Sequence, residues 1–99
     1  MKFGNLLKQL RQNKGLGIKT LAPELKITYT YLSKLENNKV NPSEKAIKRI
    51  ANYFNYNTDE LLLSANKIPE DIKKILQNNP KKAVEFLRKK FGSLSNESG

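Results

Sequence analysis

The 99-residue chain contains no cysteine, no histidine and no tryptophan. Without cysteine no disulfide or thiolate zinc site can brace the fold, and without histidine the usual imidazole ligand and general base are missing too. No metal site and no cofactor are expected. Glycine-rich phosphate loops are absent and no serine has a base partner, so no catalytic constellation can be assembled and a non-enzymatic protein is expected. Long apolar runs are also missing. The longest unbroken aliphatic stretch, Leu61 to Leu63, is far short of a membrane span, and Met1 to Lys14 interleaves its apolar residues with Lys2, Lys8 and Arg11, unlike a secretory signal. A cytoplasmic protein without membrane association is the expectation.

What the chain has in excess is positive charge: 19 Lys and Arg stand against 9 Asp and Glu, a formal charge of +10. Residues 1–66 hold 11 basic and 5 acidic side chains (+6) and residues 67–99 hold 8 and 4 (+4), so the excess runs through both parts. A polyanion is the natural partner, although a basic surface alone also fits RNA, anionic lipid or solubility. The length allows one small helical core with an appendage.

Apolar spacing predicts helices almost throughout. The first runs from near Lys2 to Asn13, with Phe3, Leu6, Leu7 and Leu10 on one stripe and Gly15 as its stop. Ile18, Leu21, Ala22 and Leu25 form the buried stripe of a second helix, Lys26 and Ile27 a turn, and Thr28 the N-cap of a third. At about 100° per residue, Leu32 and Leu35 set the inward direction of that third helix. Thr30, Ser33, Lys34 and Asn37 then face outward, with Tyr29 and Tyr31 on the flanks. Asn37 to Asn41 is a polar loop, and Pro42-Ser43 introduces a helix with Ile47, Ile50, Ala51 and Phe54 inward. Thr58 is read as the cap of a short fifth helix, in which Leu61 and Leu62 close the core.

The apolar pattern pauses from Ser64 to Lys67, which sets the expected division into a domain of residues 1–66 and an element of residues 67–91. In the latter, Pro69 suits a first helical turn and Asn78-Asn79-Pro80 a stop and restart. The two resulting helices carry Ile68, Ile72, Ile75 and Leu76, then Ala83, Val84, Leu87 and Phe91. Two short amphipathic helices cannot bury such stripes alone. Residues 92–99, rich in Ser and Asn, are expected to be a disordered tail. Ordinary roles suffice elsewhere: Tyr31, Tyr53 and Phe54 as packing residues, Arg88-Lys89-Lys90 as a solvated helix end, and Glu70-Asp71 as a complement to a helix dipole.

Helix, tight turn and helix over Ile18 to Glu36 is a DNA-reading arrangement. Leu6, Leu10 and Arg11, then Leu21-Ala22, Tyr31 through Asn37, Pro42, Ile47, Ile50-Ala51 and Asp59 through Leu62 extend the pattern over residues 3 to about 63. On those residues the chain resembles the lambda-repressor-like helix-turn-helix domain of the xenobiotic-response-element family of bacterial and phage regulators. The resemblance implies an all-α fold, five helices followed by a short helical hairpin. It implies too that the third helix enters the major groove of double-stranded DNA. Carried over residue by residue, Tyr29, Thr30, Ser33 and Lys34 fall on base edges and Asn37 and Lys39 on phosphates, with Lys19 and Thr28 completing the candidate set. Arg11 and Glu36 occupy the positions of a charged pair that recurs in the family between the first and third helices, and are read as structural.

Three departures from the family pattern stand out. Ile18 replaces a frequent glutamine, so only a backbone phosphate contact survives there. Pro23 lies inside the second helix. Lys26 and Asn38 occupy places where glycine is usual, and lysine is the more strained of the two in a left-handed conformation.

The expected function is a sequence-specific transcriptional regulator, a repressor acting as a homodimer on a palindromic operator with half-sites about one turn, ~34 Å, apart. Ile68, Ile72, Ile75, Leu76, Val84, Leu87 and Phe91 are the candidate dimer surface. The start Ile68-Pro69-Glu70-Asp71-Ile72 is also similar to regulators whose genes accompany ImmA/IrrE-type metallopeptidases. That likeness implies a regulatory protein or protease acting on the C-terminal region. The alternative is an antitoxin or adaptor that binds a partner protein through these helices and regulates itself through the helix-turn-helix. A third reading, a basic RNA-binding or membrane-surface protein, predicts binding indifferent to DNA sequence.

Overall fold

The computed structural model describes the backbone of residues 1–98 and the side chains of residues 1–92. The apolar stripes become seven helices and, among the described residues, no strand forms, giving the all-α class expected: α1 Phe3–Asn13, α2 Ile18–Glu24, α3 Tyr29–Glu36, α4 Glu44–Phe54, α5 Thr58–Ser64, α6 Glu70–Asn78 and α7 Pro80–Ser98. Two units follow, Met1–Lys67 and a second that begins at Ile68. None of the helices described is long and apolar enough to cross a membrane.

In the first unit Leu7, Leu21, Leu32, Leu35, Ile47, Ile50 and Leu61, one or two from each of five helices, are fully buried, as is Leu25 just after α2. Phe3, Ala22, Ala51 and Leu62 fill the spaces between them. Leu10 is only half-buried at the edge of its stripe. Tyr31, Tyr53 and Phe54 pack against the core, the last two edge to face with centroids 5.0 Å apart, and Lys14 Nζ lies 4.8 Å from the Tyr53 ring.

Side-chain caps begin three of the helices. Thr28 Oγ1 accepts from Tyr31 N at 3.0 Å and Ser43 Oγ from Ala46 N at 3.1 Å. For α5 the cap is Asn57, whose Oδ1 accepts from Glu60 N at 2.9 Å, and Thr58 becomes the first helical residue instead of the cap. Asparagine is at least as good a cap as threonine, and it stands one place earlier.

The ends of α1 to α5 share one device. A left-handed residue follows each helix: Gly15, Lys26, Asn38, Asn55 and Asn66, with φ of 69°, 57°, 56°, 51° and 60°. The next N–H then reaches back to a free carbonyl, as in Leu16 N to Arg11 O at 3.1 Å, Ile27 N to Ala22 O at 3.0 Å and Lys39 N to Lys34 O at 2.9 Å. Leu16, Ile27 and Tyr56, each just after a left-handed residue, turn inward onto the core. Lys26 thus holds the glycine conformation despite its Cβ. Arg49 Nη1 on α4 helps by donating to Leu25 O at 3.2 Å.

In the second unit Pro69 stands just before α6 instead of in its first turn. Asn79 links the two helices: its N–H donates to Ile75 O at 3.0 Å and its carbonyl accepts from Ala83 N at 2.8 Å. The tail expected from residue 92 onward is helical as far as Ser98, because a lone Gly92 lowers helix propensity by only about 1 kcal/mol and no proline follows. Gly99 and the side chains beyond Gly92 lie outside the described residues.

Candidate nucleic-acid interface

The outward face of α3 is presented by a helix held on its other side. Leu32 and Leu35 anchor it in the core, and Thr28 closes its first turn. Residues three and four apart share a helix surface, so Tyr29, Thr30, Ser33, Lys34 and Asn37 form one strip. Tyr29, Thr30, Lys34 and Asn37 are exposed and Ser33 is half-buried. Thr28 is exposed as well, but its hydroxyl oxygen already serves the cap. Asn37 Nδ2 donates to Ser33 O at 2.9 Å, which ties one amide group of the strip to its own helix. Lys39 lies exposed in the loop beyond, its position fixed through its backbone bond to Lys34. Lys19 is exposed in the first turn of α2. Gly17 caps that helix without a side chain, and Ile18 packs against the core.

Arg11 and Glu36 meet inside the unit. Arg11 Nε donates to Glu36 Oε2 at 2.6 Å and Nη2 to Oε1 at 2.9 Å, a two-pronged pair linking α1 to the last residue of α3. Nη1 donates to Leu16 O at 2.7 Å. The side chains are only 11% and 3% exposed. The hydrogen bond to Glu36 holds the guanidinium pKa above its ordinary value; burial pulls it down, and the carboxylate charge raises it further.

A second clamp joins the same two helices and was not anticipated. Gly4 N donates to Asn38 Oδ1 at 3.0 Å, and Asn38 Nδ2 donates to Asn5 Oδ1 at 3.0 Å. Gly4 is buried, and a Cβ at that position would overlap Leu35 O and come within 2.7 Å of Glu36 O. The first turn of α1 therefore rests directly on the terminal carbonyls of α3. A solitary glycine between Phe3 and Leu7 in an otherwise amphipathic helix was the available signal, since glycine inside a helix costs about 1 kcal/mol relative to alanine and suits a close approach of another backbone.

With this geometry, residues 4–67 match the helix-turn-helix domain family. The chain belongs to that family. Over 62 residues it is 36% identical to the helix-turn-helix-type transcriptional regulator DdrOP3 of Deinococcus deserti, covering 63% of this chain and 48% of that one. It is 39% identical over 62 residues to the helix-turn-helix-type transcriptional activator BcrR of Enterococcus faecalis, covering 63% and 30%. A 10 kDa protein of the ImmF control region of Bacillus phage phi105 is 34% identical over 70 residues, covering 71% and 78%. The chain thus spans about half or less of the first two relatives. Among solved structures, the fold is similar to the clp gene regulator ClgR of Corynebacterium glutamicum, with 20% identity, a TM-score of 0.56 and coverage of 90% and 89%. It is also similar to a chain of the SinR–SinI complex, with 24% identity, a TM-score of 0.57 and coverage of 94% and 98%. At these identities the likeness concerns the fold.

Proposed function

We propose that this helix-turn-helix protein is a sequence-specific DNA-binding regulator of the xenobiotic-response-element type, a cytoplasmic repressor that lays α3 in the major groove. The observation that carries the reading is the unspent chemistry of α3. The side chains of Tyr29, Thr30 and Lys34 form no hydrogen bond or ion pair with any described residue, while the opposite side of the helix is locked by Leu32, Leu35 and Glu36. Hydroxyls, an ammonium and an aromatic ring on a rigid helix suit base edges and thymine methyls. Lys19, Asn37 and Lys39 are assigned to phosphates. Selection of bound duplexes from a randomised pool should enrich one two-fold-symmetric motif, and recovery of no common motif would defeat the reading.

Within it, Lys34→Ala and Thr30→Ala should each lower discrimination between selected and random duplexes by about 1–3 kcal/mol. Lys39→Ala should weaken both complexes equally and flatten the salt dependence. Anisotropy titrations at several salt concentrations separate these effects. An unchanged specificity ratio in Lys34→Ala would show that the reading face is misplaced.

The second unit is assigned to dimerisation through a second copy of itself. Ile68, Ile72, Ile75, Val84, Leu87 and Phe91 are all exposed, and α6 buries no residue. Leu76 is half-buried and, with Ile72, Ile75, Ala83, Phe86 and Leu87, lines an open apolar groove of about 490 Å³. Exposed apolar side chains in such number, with an apolar groove among them, mark association. A two-fold pairing would match a palindromic operator and raise the effective concentration of the second reading helix. Deleting residues 68–99 should leave a folded but monomeric first unit that binds the selected palindrome much more weakly. Sedimentation showing the same oligomeric state in both chains would count against it. A second polypeptide retained on the full chain and lost on truncation would favour the antitoxin or adaptor reading, in which that surface holds a regulatory protein.

A further inference from the structure

A polar cleft of about 430 Å³ opens between α1 and the end of α3, lined by Asn5, Lys8, Gln9 and Gln12 on one side and by Glu36, Asn37 and Asn38 on the other. The side-chain oxygens of Glu36, Asn38 and Asn5 are engaged, and those of Gln9, Gln12 and Asn37 belong to neutral amides that carry donors as well. Both carboxylate oxygens of Glu36 accept from Arg11, so the one acidic side chain of the lining is neutralised from within. A backbone N–H can only donate, so Gly4 fixes Asn38 with Oδ1 toward itself and Nδ2 toward Asn5. Asn5 Oδ1 is thereby filled, which leaves the Asn5 NH₂ group without a partner among the described residues. Lys8 is exposed and has no acidic group within ion-pairing distance among the described residues. The Gln12 amide is likewise exposed and its side chain has no hydrogen-bond partner among the described residues. The cleft thus offers N–H donors and an ammonium with no free carboxylate, the chemistry of an anion site.

We propose that this cleft receives a phosphodiester group of the bound DNA, with Lys8 supplying the charge and the Asn5 and Gln12 amides further donors. The inference rests on the DNA-binding reading of α3, because Asn37 at the rim of the cleft is assigned there to a phosphate. It carries the backbone contact from the end of α3 onto α1, a helix for which the amino-acid pattern suggested only a packing role. Such a contact holds the duplex in register and reads no base.

The test is salt-titrated anisotropy of the full chain on a random-sequence duplex and on a selected one. Lys8→Gln should lower the slope of log affinity against log salt by about one, and should weaken both complexes by the same factor. Asn5→Asp keeps the oxygen that accepts from Asn38, and a carboxylate in the first turn of α1 favours the helix dipole. Its melting temperature should therefore not fall, while the added anion should weaken DNA binding at least as much as Lys8→Gln. A wild-type slope in Lys8→Gln, wild-type affinity in Asn5→Asp, or a loss confined to the selected duplex would overturn the proposal. If the unaltered chain has no affinity for DNA, the reading of α3 fails. If Lys34→Ala alters specificity while Lys8→Gln changes nothing, the cleft assignment alone fails.

Discussion

Replacing Glu36 with alanine should unfold the first unit or bring it to the edge of unfolding. The substitution strands the Arg11 guanidinium in the interior with one remaining partner, Leu16 O. Breaking a buried pair from one side costs about 3–5 kcal/mol. A domain of this size has a total stability on the order of 5 kcal/mol. A different result is expected when both partners are replaced together: Arg11→Met with Glu36→Met removes both charges and should be markedly more stable than Glu36→Ala. The unit supplies its own probe, because the chain's 4 tyrosines, Tyr29, Tyr31, Tyr53 and Tyr56, all lie within residues 1–67. Circular dichroism of the full chain in the tyrosine band, apart from the shorter-wavelength phenylalanine bands to which Phe86 and Phe91 contribute, therefore reports on this unit during denaturation. A loss below about 1 kcal/mol in Glu36→Ala would mean that water reaches Arg11 far more readily than its burial indicates.

Gly4→Ala tests the second clamp, and two effects of opposite sign make the outcome decisive. Helix propensity alone predicts that alanine stabilises α1 by up to about 1 kcal/mol. Sterics predict the reverse, since the new methyl would overlap Leu35 O and lie 2.6 Å from Asn38 Oδ1. Both obstacles are tied down, one in the helix backbone and one by its hydrogen bond to Gly4 N. To accommodate the methyl, α1 must move away from α3, weakening that bond and the packing of Phe3. A net loss of about 2–4 kcal/mol is expected, from overpacking and a forfeited hydrogen bond together. An alanine variant that melts at or above the unaltered chain would show that α1 and α3 are not in such close contact.

Much of the first unit was legible because its signals are local. Threonine and serine ahead of apolar stripes gave the starts of α3 and α4, and the Leu32/Leu35 spacing oriented the helix that carries the candidate reading face. The Thr58 assignment failed by one place because the sequence holds two competent caps side by side, and which one turns onto the Glu60 N–H depends on the entering backbone. Contacts between distant residues are another matter. Arg11 and Glu36 stand 25 positions apart, and Gly4 and Asn38 stand 34 apart. No periodicity connects such positions; the charged pair was reached through a family resemblance, and the glycine contact was missed. The outward strip of α3 could be read from angle alone, whereas the cleft beside it required knowing which amide oxygens were already engaged. For the second unit, residue spacing shows that Ile72, Ile75 and Leu87 lie on apolar stripes, but not what covers them, because that depends on a surface outside the segment.

The three asparagines that end α3, α4 and α5 in a left-handed turn affect the chain even when it is unfolded. Glycine would hold the same turns with less strain, yet it would also give the denatured chain more conformations to lose on folding. A residue with a side chain has fewer unfolded conformations to lose, which offsets part of the strain that a positive φ imposes, and asparagine bears that strain better than most residues. Asn38, Asn55 and Asn66 therefore limit the disorder of the unfolded ensemble at the same positions where they stop helices. Part of the resistance of this small protein to melting would then originate in a state that contains none of its contacts.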